Sequence, residues 1–107
     1  MPPIKQRQTL RVDSLNLTFY CIDEEGNITA QGMGRTLNIS KEGILLEINT
    51  KLQPEQTIDV EIALGNNIID ARGTVIYSTR QKDESFQTGI QFTKISDTDQ
   101  KILNAFI

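Results

Sequence analysis

The sequence predicts an all-β, mainly antiparallel protein: a small six-stranded β-barrel with a short C-terminal helix and a flexible N-terminal arm. Three observations carry that expectation. Between residues 15 and 94 apolar and polar residues alternate, which is the period of a strand with one buried face. Glycine- and asparagine-rich breaks such as DEEGN (23–27) and GNN (65–67) cut the alternation into short runs. The period lengthens to that of a helix only at the end, in SDTDQKILNAFI (96–107). Closure into a barrel removes the open edges that such short strands would otherwise expose. A length of 107 residues suits one core, and 37% apolar with 23% charged residues suits a folded chain. The expected division is a single domain over 1–107, with an arm at 1–14, a barrel at 15–94 and a helix at 96–107.

The arm opens on Pro2 and Pro3 and is otherwise polar and basic as far as residue 11. The first strand sets Leu15, Leu17, Phe19 and Cys21 on one face, and DEEGN follows as a loop. A second strand is expected from about Met33 to Ile39. After NISKEG (38–43), Ile44, Leu46 and Ile48 share a face of the third strand, and a loop with Pro54 comes next. Ile58, Val60, Ile62 and Leu64 alternate with Asp59, Glu61 and Ala63 in the fourth, and GNN joins it to the fifth in a hairpin. The fifth strand, 68–78, aligns Ala71, Gly73, Val75 and Tyr77, which assigns Tyr77 to the core. The sixth, about 85–94, carries Phe86, Ile90 and Phe92. Ser96 is the expected helix cap, Asp97 and Asp99 sit near the positive end of the helix dipole, and Ile102 and Phe106 lie one turn apart.

Charge and composition exclude several occupations. The net charge is -3, unlike a protein that lays a basic face on duplex nucleic acid. Of the eleven basic residues, Lys5, Arg7 and Arg11 fall within the first eleven positions, where there is no acid; all fourteen acidic residues lie beyond. The single cysteine, Cys21, allows neither an intrachain disulfide nor a cysteine metal cluster, so no metal centre is expected. No apolar run approaches the roughly 18 residues that span a bilayer, and MPPIKQRQTL lacks the apolar core of a signal peptide. A cytoplasmic location without membrane insertion is the expectation. There is no histidine, the acids are scattered, and Cys21 lies on an apolar strand face as a small hydrophobe rather than a nucleophile. No catalytic residue and no cofactor are expected, and the chain is read as not an enzyme.

Two short motifs remain. In RQTLR (7–11), Arg7 and Arg11 can reach one ligand from two points. A guanidinium forks onto phosphate oxygens, lies flat on a base, and forks onto the O6 and N7 acceptors of guanine. The same residues also describe a solvated basic tail. In NISKEG, Asn38 can accept from the backbone N–H two residues on, and Gly43 can take a positive φ that ends the turn, so turn formation alone accounts for Asn38, Ser40 and Gly43. Such a turn also leaves amide and hydroxyl groups at a barrel rim, where they can meet a base edge.

Taken together, the motifs resemble the PilZ domain, a bacterial receptor for the second messenger cyclic di-GMP. That family carries R-x-x-x-R in an N-terminal arm, matched by Arg7 to Arg11, and then [D/N]-x-S-x-x-G, matched by Asn38 to Gly43. GILLE (43–47), ARGTVIY (71–77) and TGIQF (88–92) are similar to the family too, so the resemblance covers essentially the whole chain. It implies a PilZ-type six-stranded barrel in which Arg7 and Arg11 grip phosphates and guanine faces. It further implies that Asn38 and Ser40 bond a guanine edge and that Gly43 lets the turn pass close to the ligand. Departures are Gln8, where many members carry a further arginine, and Thr9, where they carry an aromatic or hydrophobic residue; both point to lower affinity. Gln6 stands at the family position that influences whether one or two stacked ligands bind, and Tyr77 at one often held by Trp, where it is either a stacking surface or, as its strand face favours, a barrel residue.

The implied function is a non-catalytic cyclic di-GMP sensor and adaptor in second-messenger signalling. Its arm closes on the nucleotide and alters a surface offered to a downstream effector protein. Two rivals are a PilZ-like adaptor that does not bind the nucleotide and a small OB-like nucleic-acid-binding barrel. The acidic barrel and an aromatic content of 6% weigh against the second.

Overall fold

Six strands and one helix account for the alternation and its late change of period. The computed structural model describes the backbone from Thr9 to Ile107 and side chains from Asn16 onward. Strands β1 (Thr9–Ile22), β2 (Ile28–Ser40), β3 (Gly43–Ile48), β4 (Thr57–Leu64), β5 (Asn67–Arg80) and β6 (Phe86–Ile95) precede helix α1 (Asp97–Phe106). They form a closed barrel in the order β1-β2-β3-β6-β5-β4, with β4 paired back onto β1 and every pair antiparallel.

Period two builds the core. Leu17, Phe19 and Cys21 of β1, Ile44, Leu46 and Ile48 of β3, and Ile58, Val60, Ile62 and Leu64 of β4 all point inward and are buried. Each such Leu or Ile contributes about 1.5–3 kcal/mol by leaving water. Leu103 is the buried residue of α1, and Ile102, Phe106 and Ile107 pack beside it on the same core.

Local chemistry sets the turns. Asp23 Oδ1 accepts from the N–H groups of Glu25 (2.9 Å) and Asn27 (2.8 Å), and Gly26 takes φ +85°. Gly65, φ +62°, opens the β4–β5 hairpin, a conformation glycine adopts without steric cost. Ser96 caps α1, its Oγ accepting from Asp99 N–H at 3.1 Å. The Asp99 carboxylate reaches across to accept from Asp70 N–H at 3.0 Å, which ties the start of α1 to β5.

Three expectations shift. β2 begins at Ile28, five residues before Met33, where pairing with Ile22 and Cys21 of β1 extends it although its first residues are all exposed. Residues 9–14, expected in the arm, run in β1, where Thr9, Leu10 and Arg11 pair with Ser40, Ile39 and Asn38. Tyr77 is 46% exposed rather than part of the core. The rest of the expected arm, residues 1–8 with Arg7, lies outside the described residues.

Candidate functional site

Two β-bulges decide which side chains face outward. On β2, Thr36 pairs with Leu46 but Asn38 with Leu45, so Leu37 is an extra residue. Thr36 and Ile39 are both buried, and the phase change between them turns Asn38 and Ser40 to the outer wall. On β5, Val75 pairs with Ile90 but Tyr77 with Gly89, so Ile76 is extra. Without that insertion Tyr77 would follow Ala71 and Val75 into the core; with it, Ser78 faces inward, its hydroxyl 2.9 Å from that of buried Thr88.

The bulges bring one row of residues into register across five strands. Arg11 pairs with Asn38, Asn38 with Leu45, Leu45 with Gly89, and Gly89 with Tyr77. Neighbouring strands are about 4.8 Å apart, so Asn38 and Tyr77 are separated by about 14 Å. Between them lies a shallow groove of about 430 Å³ beside the β2–β3 turn. Asn38, Ser40 and Gly43 line it with Glu42, Tyr77 and Gln91. Gly89 leaves room for the aromatic: a Cβ there would lie 2.7 Å from Tyr77 Cε2. The Tyr77 ring is therefore seated on bare backbone and held as a flat wall of the groove.

The polar groups differ from a simple turn. Asn38 Oδ1 is buried and has no hydrogen-bond partner among the described residues, so it does not make the expected turn bond. That bond belongs to Ser40, whose Oγ accepts from Glu42 N–H at 3.2 Å and lies 3.4 Å from the Gly43 carbonyl. Gly43 is required for a reason other than a positive φ, which among the described glycines only Gly26 and Gly65 show. A Cβ at Gly43 would run into the carbonyl oxygen of Ile90, because β3 and β6 approach closely there. A buried acceptor without a donor costs about 1–3 kcal/mol, which a ligand donor would recover.

Among the described residues that line the groove none is basic, so any phosphate bound there needs cations from elsewhere. Arg35, Arg72 and Arg80 are paired with Glu47, Asp59 and Glu84. Arg11 stands in register beside Asn38; its side chain, like the whole of Arg7, is outside the description. The structure thus brings Asn38, Ser40, Gly43 and the backbone of Arg11 together. Tyr77, Glu42 and Gly89 join a site that the alternation alone assigned otherwise or passed over.

Cys21 lies outside this groove. Cys21 is fully buried, and burial pushes its thiol pKa up, away from the reactive thiolate. No group of three or more Cys, Asp or Glu among the described residues could hold a metal ion, and no helix among them is long and apolar enough to cross a membrane.

A family model described as PilZ domain matches residues 5–107. No curated protein matches significantly. Among solved structures the chain is similar to the Bacillus subtilis inhibitor of motility MotI/DgrA, with 19% identity and a TM-score of 0.73 over 99% of this chain and 54% of that one. It is also similar to the K. pneumonia MrkH–c-di-GMP complex, with 16% identity and a TM-score of 0.68 over 91% of this chain and 48% of that one. A third similarity is to the PilZ domain of YcgR from Escherichia coli with c-di-GMP, with 14% identity and a TM-score of 0.59 over 85% of this chain and 79% of that one. The chain spans about half the length of the first two. With the same barrel and with the family model covering all but its first four residues, the chain belongs to the PilZ domain family.

Proposed function

We propose that this protein binds cyclic di-GMP as a non-catalytic sensor, with no cofactor and no nucleic-acid target. The observation that carries the proposal is the cross-strand row from Arg11 through Asn38 to Tyr77, which sets an arginine position beside a groove that holds an aromatic wall and an acceptor without a partner among the described residues. Two structures of the same fold were obtained with c-di-GMP, MrkH and the YcgR domain.

In this reading Arg7 and Arg11 grip the phosphates and lie on guanine faces, which supplies the positive charge the groove lacks. Asn38 and Ser40 bond a guanine edge, and Gly43 lets the turn pass close to the base. The arm closes on the ligand and alters the surface offered to a downstream effector protein in the cytoplasm. β1 holds the backbone from Thr9, and the part of the arm that carries Lys5 and Arg7 lies outside the described residues.

Thermal melting with cyclic di-GMP, with GMP and with single-stranded RNA tests the assignment. A ligand that binds only the folded state raises the midpoint by mass action, about 2.7 kcal/mol of stabilisation at a hundred times Kd. A rise with cyclic di-GMP alone supports the sensor. A rise with RNA alone transfers the groove to nucleic acid, and no rise with any of them leaves an adaptor that does not bind nucleotide.

A further inference from the structure

We infer that Glu42 is a base-specificity residue of this groove, its carboxylate accepting hydrogen bonds from the donor edge of guanine. The inference rests on the cyclic di-GMP reading above. Among the described residues Glu42 is the one charged side chain lining the groove. Its backbone is fixed from both sides: its N–H donates to Ser40 Oγ at 3.2 Å, and its carbonyl accepts from Phe92 N–H at 2.8 Å. The carboxylate is held much less. Among the described residues it accepts only from Ser40 Oγ, at 3.5 Å, the outer limit of a hydrogen bond, and the residue is exposed. It is thus anchored at the Cα, beside the base-edge groups, with nearly all its acceptor capacity free.

Asn38 Oδ1 is a second acceptor without a donor among the described residues, so the lining favours a donor-rich partner. Guanine offers N1–H and the N2 amino group side by side, which match the two oxygens of one carboxylate. Adenine places an acceptor at N1 instead, and hypoxanthine keeps N1–H but lacks the amino group. The sign of the effect separates this role from a bystander's. The ligand carries two negative charges, so a carboxylate that met only its phosphates would repel it, and removing the charge would tighten binding. A carboxylate that holds the guanine edge does the opposite.

Titration calorimetry of the full chain and of Glu42→Gln, each with cyclic di-GMP and with cyclic di-inosine monophosphate, decides between them. The unaltered protein should prefer the guanine ligand by about tenfold or more. Glu42→Gln should bind cyclic di-GMP about tenfold more weakly and narrow the preference to within about threefold, with an unchanged thermal midpoint confirming its fold. Binding of cyclic di-GMP by Glu42→Gln that is equal or tighter, with the preference intact, overturns the role of Glu42 and leaves the sensor reading standing. If the unaltered protein takes up neither nucleotide, the sensor reading itself falls and this inference with it.

Discussion

Arg11 is the cross-strand partner of Asn38, so the end of the arginine motif and the start of the hairpin motif occupy one rung of the β1–β2 ladder. Facing Cα atoms in such a ladder are about 4.5–5.5 Å apart, well within the reach of an arginine side chain. Arg11→Ala and Arg7→Ala should each weaken cyclic di-GMP binding at least about tenfold by calorimetry, the loss of one charge-assisted fork. Arg11→Lys should recover only part, because the charge returns without the fork. The unliganded midpoint should move little, within about 0.5 kcal/mol of stability. Equal affinity in all three variants would remove the arginines from the site.

Asn38→Ala separates a ligand contact from a turn contact. Its Oδ1 is buried without a partner among the described residues, so truncation removes an uncompensated desolvation and should leave chemical denaturation within about 0.5 kcal/mol of the unaltered protein. Binding should fall about tenfold. A stability loss above about 1 kcal/mol would restore the turn role that Ser40 fills here.

Tyr77→Ala distinguishes a stacking wall from a core residue. At 46% exposed, the ring should cost less than about 1 kcal/mol of stability when removed, against about 3–5 kcal/mol for a buried aromatic. Ligand affinity should drop by about 1–3 kcal/mol, the worth of one base stacked on an aromatic. Denaturation and titration of the same variant give both numbers.

Gly43→Ala should destabilise by about 1–3 kcal/mol in urea, because its methyl group meets the Ile90 carbonyl, which belongs to a ladder that cannot yield. A neutral effect would show that β3 and β6 are farther apart than the register places them.

Asp70 supplies a pH test away from the groove. Partial desolvation first, and then Glu61, Asp99 and Asp59, raise its carboxyl pKa above the ordinary value. The folded state therefore holds the proton more tightly than the unfolded one, and a penalty develops as pH rises through that raised pKa. Asp70→Asn should raise stability at pH 7 by under about 0.5 kcal/mol, since solvent screens so exposed a group, and should change nothing at a pH where the acid is protonated in both states. Midpoints measured from pH 3 to 8 follow this directly; a destabilised variant at pH 7 would contradict it.

The barrel's inner face was legible because alternation depends only on neighbours in sequence, as in Ile58 to Leu64. The cap at Ser96 was legible for the same reason. Leu37 and Ile76 were not: a bulge adds one residue to one strand, is defined by the partner strand and leaves no compositional mark. Tyr77 was assigned to the core on that account. The start of β1 over residues 9–11 is likewise a matter of pairing with Asn38 to Ser40 rather than of local pattern. Gly43 was visible as a needed glycine, but its reason, the closeness of β6, comes from a strand more than forty residues away.

The central claim is that this groove and the arginine motif converge on one guanine dinucleotide. Calorimetric titration of the unaltered chain with cyclic di-GMP tests it most directly. Saturable heat that disappears in the Arg7→Ala, Arg11→Ala double variant is the predicted result. A folded protein that gives no heat and no thermal shift with cyclic di-GMP, or gives the same heat without both arginines, would contradict it.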